Sequence, residues 1–443
     1  MKRVKGRAPL SVVVAIIGGL ALAGIIFTED LRGLTEVKEK VTDKEKKRTS
    51  LRTVMRTSAL LSADQPPPPA VLSVEPATAT PPPAPKMAFN ATPVQRDGWY
   101  WAYDRSKKLP YTDQTCPYVD RQDSCQRNGR PDSDYLYWDW HLDDCLLPRF
   151  DPVSMLEKLR GKRIMFVGDS LQLGQWLSFV CLVNSAVPDT PGAKSMERSR
   201  TLSVYTVKEY NASIEFYWAP FLVESNSDRN IALGAGGRVL HVDAIEEHGK
   251  HWRRADILVF DSYVWWMTGY RIKSVWGSFG DDGYEELDAW VAYRLGLKTW
   301  ANWVDSNERG LGKGRRNPVL QRKLADPPTG AYRGSGSDRR MMEVMSDVLG
   351  RMRTPVTLLN ITQLTEHRVD AQVSVYTETG GLLVTDEEKT DPQRYTDCIH
   401  WCIPGVPDTW NRLLYATCSL ASRLSQVTST QRNASPLVTS GSS

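Results

Sequence analysis

Four apolar residues, Ile164-Met165-Phe166-Val167, end at Gly168 and lead directly into a helix-forming stretch, and few arrangements accommodate that succession. A short apolar run bounded by glycine has the form of a strand buried on both faces. Beyond it Leu173, Trp176, Leu177 and Val180 recur at i, i+3, i+4 and i+7, the apolar stripe of a helix. Ile257-Leu258-Val259-Phe260 and Val356-Thr357-Leu358-Leu359 read as further buried strands, and Pro407-Asp408 opens a helix carrying Trp410, Leu413 and Leu414. Alternating strands and helices predict an α/β domain, a parallel sheet with helices on both faces. Residues 99–151 differ: they are turn-rich and aromatic, with Trp99, Tyr100, Trp101, Tyr103, Tyr135, Tyr137, Trp138 and Trp140, and predict a smaller N-terminal lobe.

The rest of the chain divides by composition. Lys2, Arg3, Lys5 and Arg7 precede an apolar run over residues 9–27, which Glu29 and Asp30 follow. Such a run just spans a hydrocarbon core of about 30 Å as a helix. The flanking positive charge predicts residues 1–8 cytosolic and everything after 27 lumenal, a single-pass type II anchor. A cleaved signal peptide is the rival reading, since Ala21-Leu22-Ala23 resembles a cleavage site; Ile25, Ile26 and Phe27 extend the apolar run past it. Residues 28–95 are charged and then Pro-rich (Pro66-Pro67-Pro68-Pro69, Pro81-Pro82-Pro83-Ala84-Pro85), which predicts an extended stem. The body is expected over 96–423, and the Ser/Thr-rich residues 424–443 are expected to be disordered.

A lumenal body agrees with two further features. The N-x-[ST] sequons include Asn211 and Asn360, and the seven Cys all lie at or after Cys116, where an oxidising lumen favours disulfides. Net charge is only +4 and the basic residues are dispersed, so no nucleic-acid footprint is present.

Gly168-Asp169-Ser170 stands where the first buried strand meets its helix. Glycine permits a sharp turn there, and the carboxyl edge of an open α/β sheet is where ligands bind. The N-terminus of the following helix favours a developing oxyanion, with Gly168 and Asp169 beside it. A seryl nucleophile needs a base. Of six His, His400 follows Asp397 by three residues, and a carboxylate so placed can fix the imidazole tautomer. By composition alone Gly-Asp-Ser turns up in roughly one chain in ten of this length and D-x-x-H in about one in two, so the placement after a strand is what raises the first. A metal reading of Cys398, His400 and Cys402 lacks the second ligand pair of usual zinc sites, so no metal is expected. His241, His248 and His251 lie in a charged stretch and are expected to be solvated.

Several blocks in order then resemble one family, the plant trichome birefringence-like proteins. They are Cys116-Pro117-Tyr118, Cys125 with Asn128-Gly129-Arg130, CLLPRFD from Cys145, RIMFVGDSLQLGQWLSFVC from Arg163, FYWAPFLVESN from Phe216, ADILVFDSYVWWMT from Ala255 and DCIHWCIPGVPDTW from Asp397. The resemblance implies a hydrolase-like, three-layer SGNH/GDSL-type fold, a Golgi membrane setting, and O-acetylation of a wall polysaccharide, xylan being the expected acceptor. It implies Ser170, His400 and Asp397 as the catalytic set. No bound cofactor is implied, with acetyl-CoA or another acetyl donor as co-substrate. Pairing in the family would join Cys116 to Cys181 and Cys125 to Cys402, leaving Cys145, Cys398 and Cys418 without assigned partners. Trp265 and Trp266 could wall a sugar groove, or could simply be core.

Departures from the family are plain. Leu173 stands where it usually carries Arg, and Asp261 where it often has Asn; an ionised Asp261 cannot donate to an oxyanion. Residues 304–328 lack the usual apolar strand and carry Glu308-Arg309-Gly310-Leu311-Gly312-Lys313-Gly314-Arg315-Arg316 instead. Two other functions therefore stay open: an acetyl esterase with the same three residues, and an inactive polysaccharide-binding protein.

Overall fold

The structure, a computed structural model, describes residues 87–88, 99–142, 145–229, 237–267, 271–275, 284–307, 319–322 and 338–433. The chain divides into Met1–Pro82 and Pro83–Ser443, and all described residues belong to the second unit. The anticipated anchor over 9–27 lies outside the described residues, as does the stem up to residue 86. Among the described residues no helix is long and apolar enough to cross a membrane.

In chain order the elements that matter are β1 (Met87–Ala88), β2 (Trp99–Tyr103), β3 (Trp138–Leu142), β4 (Cys145–Leu146), α1 (Pro152–Leu159), β5 (Arg163–Gly168) and α2 (Ser170–Asn184). Then come β6 (Lys194–Arg198), β7 (Leu202–Val207), β8 (Ala212–Trp218), β9 (Val239–His241), α3 (Glu246–Trp252), β10 (Ile257–Asp261), β11 (Arg271–Val275), β12 (Glu285–Asp288) and α4 (Ala289–Asn307). The chain continues through β13 (Val319–Arg322), α5 (Arg339–Leu349), β14 (Thr357–Asn360), α6 (Thr362–Glu366), β15 (Gln372–Ser374), β16 (Glu378–Thr379), β17 (Leu382–Leu383), β18 (Asp397–Trp401) and α7 (Val406–Asn433).

The central sheet runs β14-β13-β10-β5-β8-β7-β6. Its first five strands are parallel, and β6 and β7 add an antiparallel edge to the expected parallel sheet. The edge follows from short connections: only residues 199–201 separate β6 from β7, and a tight reversal can join antiparallel neighbours alone. Residues 208–211 join β7 to β8, with Asn211 exposed at φ 45°, a conformation Asn tolerates.

Helices cover both faces, as consecutive strand residues show. Phe166 and its register partner Phe216 meet α2 through Phe179 (5.3 Å) and Trp176 (6.0 Å). Phe260, on the opposite face, meets Trp252 of α3 (5.3 Å) and Trp300 of α4 (5.4 Å). The layers are thus helix, sheet, helix. Helix α2 is buried almost all round, because α7 and α1 pack over its outer side. Its apolar residues therefore fill more than the one stripe read from the sequence.

The aromatic N-terminal region expected as a smaller lobe forms its own two-stranded sheet, β2 with β3, and Tyr135, Leu136, Trp140 and Leu142 join it to the same continuous core as the main sheet. Three expectations need correction. Met87 and Ala88, placed in the stem, form β1 and pair in parallel with Cys145 and Leu146. The strand missing from residues 304–328 is supplied by β13, which lies between β10 and β14 with both neighbours parallel. Finally, α7 runs to Asn433, well past residue 423. Residues 424–433 hold neither Gly nor Pro, so nothing in them stops a helix already propagating; Pro436 comes only afterwards.

Candidate active site

Gly168 closes β5 opposite Asp261 of β10 on one side and Trp218 of β8 on the other. A Cβ at Gly168 would lie 1.9 Å from the backbone oxygen of Asp261, so only glycine lets the two strands converge here. Asp169 follows as the N-cap of α2; its Oδ1 accepts the N–H of Leu171 at 2.9 Å, and the residue is 1% exposed. Ser170 is thereby the first residue of the helix, held at the carboxyl edge of the sheet and half-buried.

The base arrives from the far end of the chain. On β18, His400 places Nε2 2.8 Å from Ser170 Oγ and Nδ1 2.7 Å from Asp397 Oδ2. Asp397 Oδ1 also accepts the N–H groups of Ile399 (2.8 Å) and His400 (3.1 Å). A carboxylate that only accepts takes the proton on Nδ1, leaving Nε2 free to accept the seryl hydroxyl. The structure therefore brings Ser170, Asp397 and His400 together, with Gly168 and Asp169 beside them. Their electrostatics suit proton transfer. Burial works against the charge on Asp397, but the hydrogen bond and charge of His400 and the two backbone N–H groups outweigh it and hold its carboxyl below the ordinary value. Burial likewise opposes a charged His400, yet its bond to Asp397 and the charges of Asp397, Asp123 and Asp169 raise it above the ordinary imidazole value.

Two disulfides brace this arrangement. Cys116–Cys181 fastens the N-terminal region to α2, and Cys125–Cys402 ties it to the residue following β18. Cys398 is an exposed free thiol, Cys418 is half-buried in α7, and Cys145 lies in β4 with its side chain outside the described set. The second bridge also carries in a residue the sequence reading missed. Asp123 is 6% exposed, its backbone oxygen accepts the N–H of Ile403 at 2.9 Å, and burial raises its carboxyl to about 7 despite the charge of His400. No local pattern marks it.

Other candidates move elsewhere. Trp265 and Trp266 are 8% and 1% exposed and pack edge-on against Phe221, so they are core and offer no open sugar face. His241 and His248 are buried at 1% and 4%, against the expected solvation; α3 turns His248 inward, where it stacks on Trp252 and reaches Tyr217 and Asp228. His251 is exposed. Asn360 is half-buried at the end of β14, a poor place for a glycan, whereas Asn211 is open. Leu173 is half-buried one turn along α2, and Asp261 is 4% exposed beside Gly168. Among the described residues no cluster of His, Cys, Asp or Glu could hold a metal.

Residues 147–322 and 313–417 match the GDSL/SGNH-like acyl-esterase family found in Pmr5 and Cas1p. The chain belongs to that family. Ahead of the acyl-esterase part, residues 97–146 match the PMR5 N-terminal domain. Among similar proteins, a probable xylan O-acetyltransferase 8 of Oryza sativa subsp. japonica is 90% identical over 434 residues, covering 94% of this chain and 98% of that protein. Protein trichome birefringence-like 3 of Arabidopsis thaliana is 52% identical over 337 residues, covering 71% and 77%. Xylan O-acetyltransferase 6 of Oryza sativa subsp. japonica is 41% identical over 344 residues, covering 71% and 61%. Ser170, Asp397 and His400, whose side chains meet in this chain, all lie within the residues that match the acyl-esterase family.

Proposed function

We propose that this protein is a polysaccharide O-acetyltransferase that moves acetyl groups onto a plant wall glycan, xylan being the acceptor, through an acetyl-serine at Ser170. The observation that carries the reading is the continuous Ser170–His400–Asp397 relay at a sheet edge, in a chain 90% identical to a probable xylan O-acetyltransferase. Ser170 Oγ attacks the acetyl carbonyl of the donor, acetyl-CoA or another acetyl ester, while His400 Nε2 takes its proton. The tetrahedral intermediate expels the donor's thiolate or alkoxide, which leaves with that proton. A sugar hydroxyl then gives its proton to His400, attacks the acetyl-serine carbonyl and releases Ser170, which recovers the proton. Covalent catalysis splits one slow transfer into two easier steps.

The wider setting is part of the same proposal. Residues 9–27 anchor the chain in the Golgi membrane with residues 1–8 cytosolic, 28–86 form a stem, and the lumenal body acts on polysaccharide. No nucleic acid and no metal take part. The family description as acyl-esterase favours one other reading, in which water replaces the sugar hydroxyl in the second step. The inactive reading loses one of its three supports, since β13 occupies the strand thought lost, while the Leu173 and Asp261 departures stand.

The test is acetyl transfer by the full-length protein to unacetylated xylo-oligosaccharides, with acetyl-CoA as donor and Ser170→Ala alongside. Acetylated oligosaccharide that vanishes in the variant supports the transferase. Free acetate without acetylated sugar supports the esterase, and no turnover from folded protein on any wall glycan refutes both.

A further inference from the structure

Two concavities that the proposed chemistry leaves unused adjoin one another on the N-terminal region. A groove of about 440 Å³ is lined by Trp99, Tyr100, Trp101 and Trp138 together with Gln363, His367 and Asp370, whose carboxylate is paired with Arg368. Beside it lies a cavity of about 180 Å³ whose walls hold Lys107, Lys108, Arg149, Arg368 and Arg412 against only two carboxylates, Asp139 and Asp408. Trp138 and Arg368 line both. Leu182 and Ser185, at the end of α2, also face the cavity. They follow Ser170 by twelve and fifteen residues, which at the helical rise puts the cavity roughly 18 to 22 Å from the seryl oxygen.

The charges in the cavity do not cancel. Asp408 is spent inward: its carboxylate accepts from Tyr111, Ser178 and the backbone of Gly405. Asp139 is shared by Lys107 (2.8 Å) and Arg412 (3.9 Å). Arg368 is committed to Asp370 and to the carbonyl of Tyr135, with its guanidinium 4.6 Å over Trp101 and 5.5 Å over Trp138. Lys108 and Arg149 are exposed and make no hydrogen bond or ion pair among the described residues. A concave wall with surplus cations focuses positive potential and favours an anion. The groove supplies the complementary surface: aromatic faces pack well against the C–H faces of pyranose rings, and Tyr100, stacked on His141 through one face at 5.3 Å, is 43% exposed.

We infer that this paired groove and cavity form a second, non-catalytic glycan site that takes a uronic-acid-bearing polysaccharide, the sugar rings resting on the aromatic groove and the carboxylate meeting Lys108 and Arg149. The inference rests on the proposed function only for the occupant being a wall polysaccharide. Its role is to hold a long acidic chain on the protein while a segment about 20 Å away reaches Ser170, which raises the local acceptor concentration without any new contact at the catalytic serine.

The test is equilibrium binding to the full-length protein of two xylo-oligosaccharides of equal length, one carrying glucuronic acid and one neutral. Wild type is compared with Lys108→Gln/Arg149→Gln and with Tyr100→Ala, each checked for unchanged circular dichroism and Tm. Wild type is expected to prefer the acidic chain; the double variant should weaken it about tenfold, as for loss of close charge pairs, and leave the neutral chain within about twofold. Tyr100→Ala should weaken both chains. The acidic preference should also fade with rising salt. Equal affinities in wild type, or folded double variant with unchanged acidic affinity, overturn the inference. Inorganic phosphate binding that the double variant abolishes, without any preference for the uronate chain, overturns it in favour of a free-anion site. Acetyl transfer to short neutral acceptors should be unaltered in the double variant. Failure of that transfer in wild type bears on the proposed function alone, because binding is read without turnover.

Discussion

Replacing Asp123 by Asn should stabilise the protein, and by an amount that depends on pH in a defined way. The carboxyl is 6% exposed, and burial raises it from 3.8 to about 7, with the charge of His400 pulling the other way and those of Asp120 and Asp397 adding to the rise. An acid whose folded value is raised loses stability as pH climbs, because the unfolded chain releases its proton first. Below pH 3.8 both states hold the proton and Asp and Asn are nearly equivalent. Between there and about 7 the native state falls behind by about 1.4 kcal/mol per pH unit. Over a span of about three units the cost reaches about 4 kcal/mol, and it is constant above pH 7. The uncharged Asn carries no such cost. Urea unfolding of wild type and Asp123→Asn from pH 4 to pH 8 measures the difference directly. It should start near zero and rise to a plateau of several kcal/mol in favour of the variant. A second readout follows from the site: the Asp123 charge helps raise His400, so its removal should move the acid limb of kcat/KM to lower pH. A stability difference that stays flat with pH, or in which wild type gains on the variant as pH rises, would refute the placement of a buried carboxyl beside His400.

Other perturbations test the same geometry. Asp397→Asn should lower kcat by on the order of 10⁴ with little change in Tm, because the imidazole would keep the wrong tautomer; acetyl-transfer rates and a thermal melt check this. With His400 raised above its ordinary 6.5, activity should rise with pH through a limb lying above that value, read from a kcat/KM profile. Removing the Cys125–Cys402 bridge by double Ser substitution should cost about 2–5 kcal/mol in denaturant unfolding, and should lower activity more than loss of Cys116–Cys181, since only the former holds the end of β18. Gly168→Ala should destabilise by about 3 kcal/mol or prevent folding, because the added methyl meets the Asp261 carbonyl at 1.9 Å; soluble yield and Tm decide it.

What could be read from the sequence is what depends on neighbours along the chain. The buried strand ending at Gly168, the helix opening at Ser170 and the Asp397–His400 bond all lie within spans of a few residues, where apolar period, capping and reach of side chains are local. Features set by the fold as a whole escaped. Charged neighbours made His241 and His248 look solvated, yet a short helix has two faces, and α3 lays His248 on Trp252 beneath the sheet. The flanks of Val319–Arg322 look nothing like a strand, with glycines and arginines just before it. A parallel strand set between two others is held by backbone hydrogen bonds on both sides, so β13 needs little from its own side-chain pattern. Asp123 is the strongest case. It lies 277 residues before His400 in the chain, and the Cys125–Cys402 bridge and the Ile403 N–H to Asp123 bond help to carry it there, with Thr377 bonded to the carbonyl of Gln122 and Arg130 to that of Gln372. Such a residue has no motif of its own, because its chemistry is created by what the disulfide brings beside it. The site therefore has two kinds of acid: Asp397, whose role is written three residues from its histidine, and Asp123, whose proton is held chiefly by burial, with the charges of Asp120 and Asp397 adding to it. Exchanging both for Asn separates them, since only the first should abolish turnover and only the second should raise stability at neutral pH.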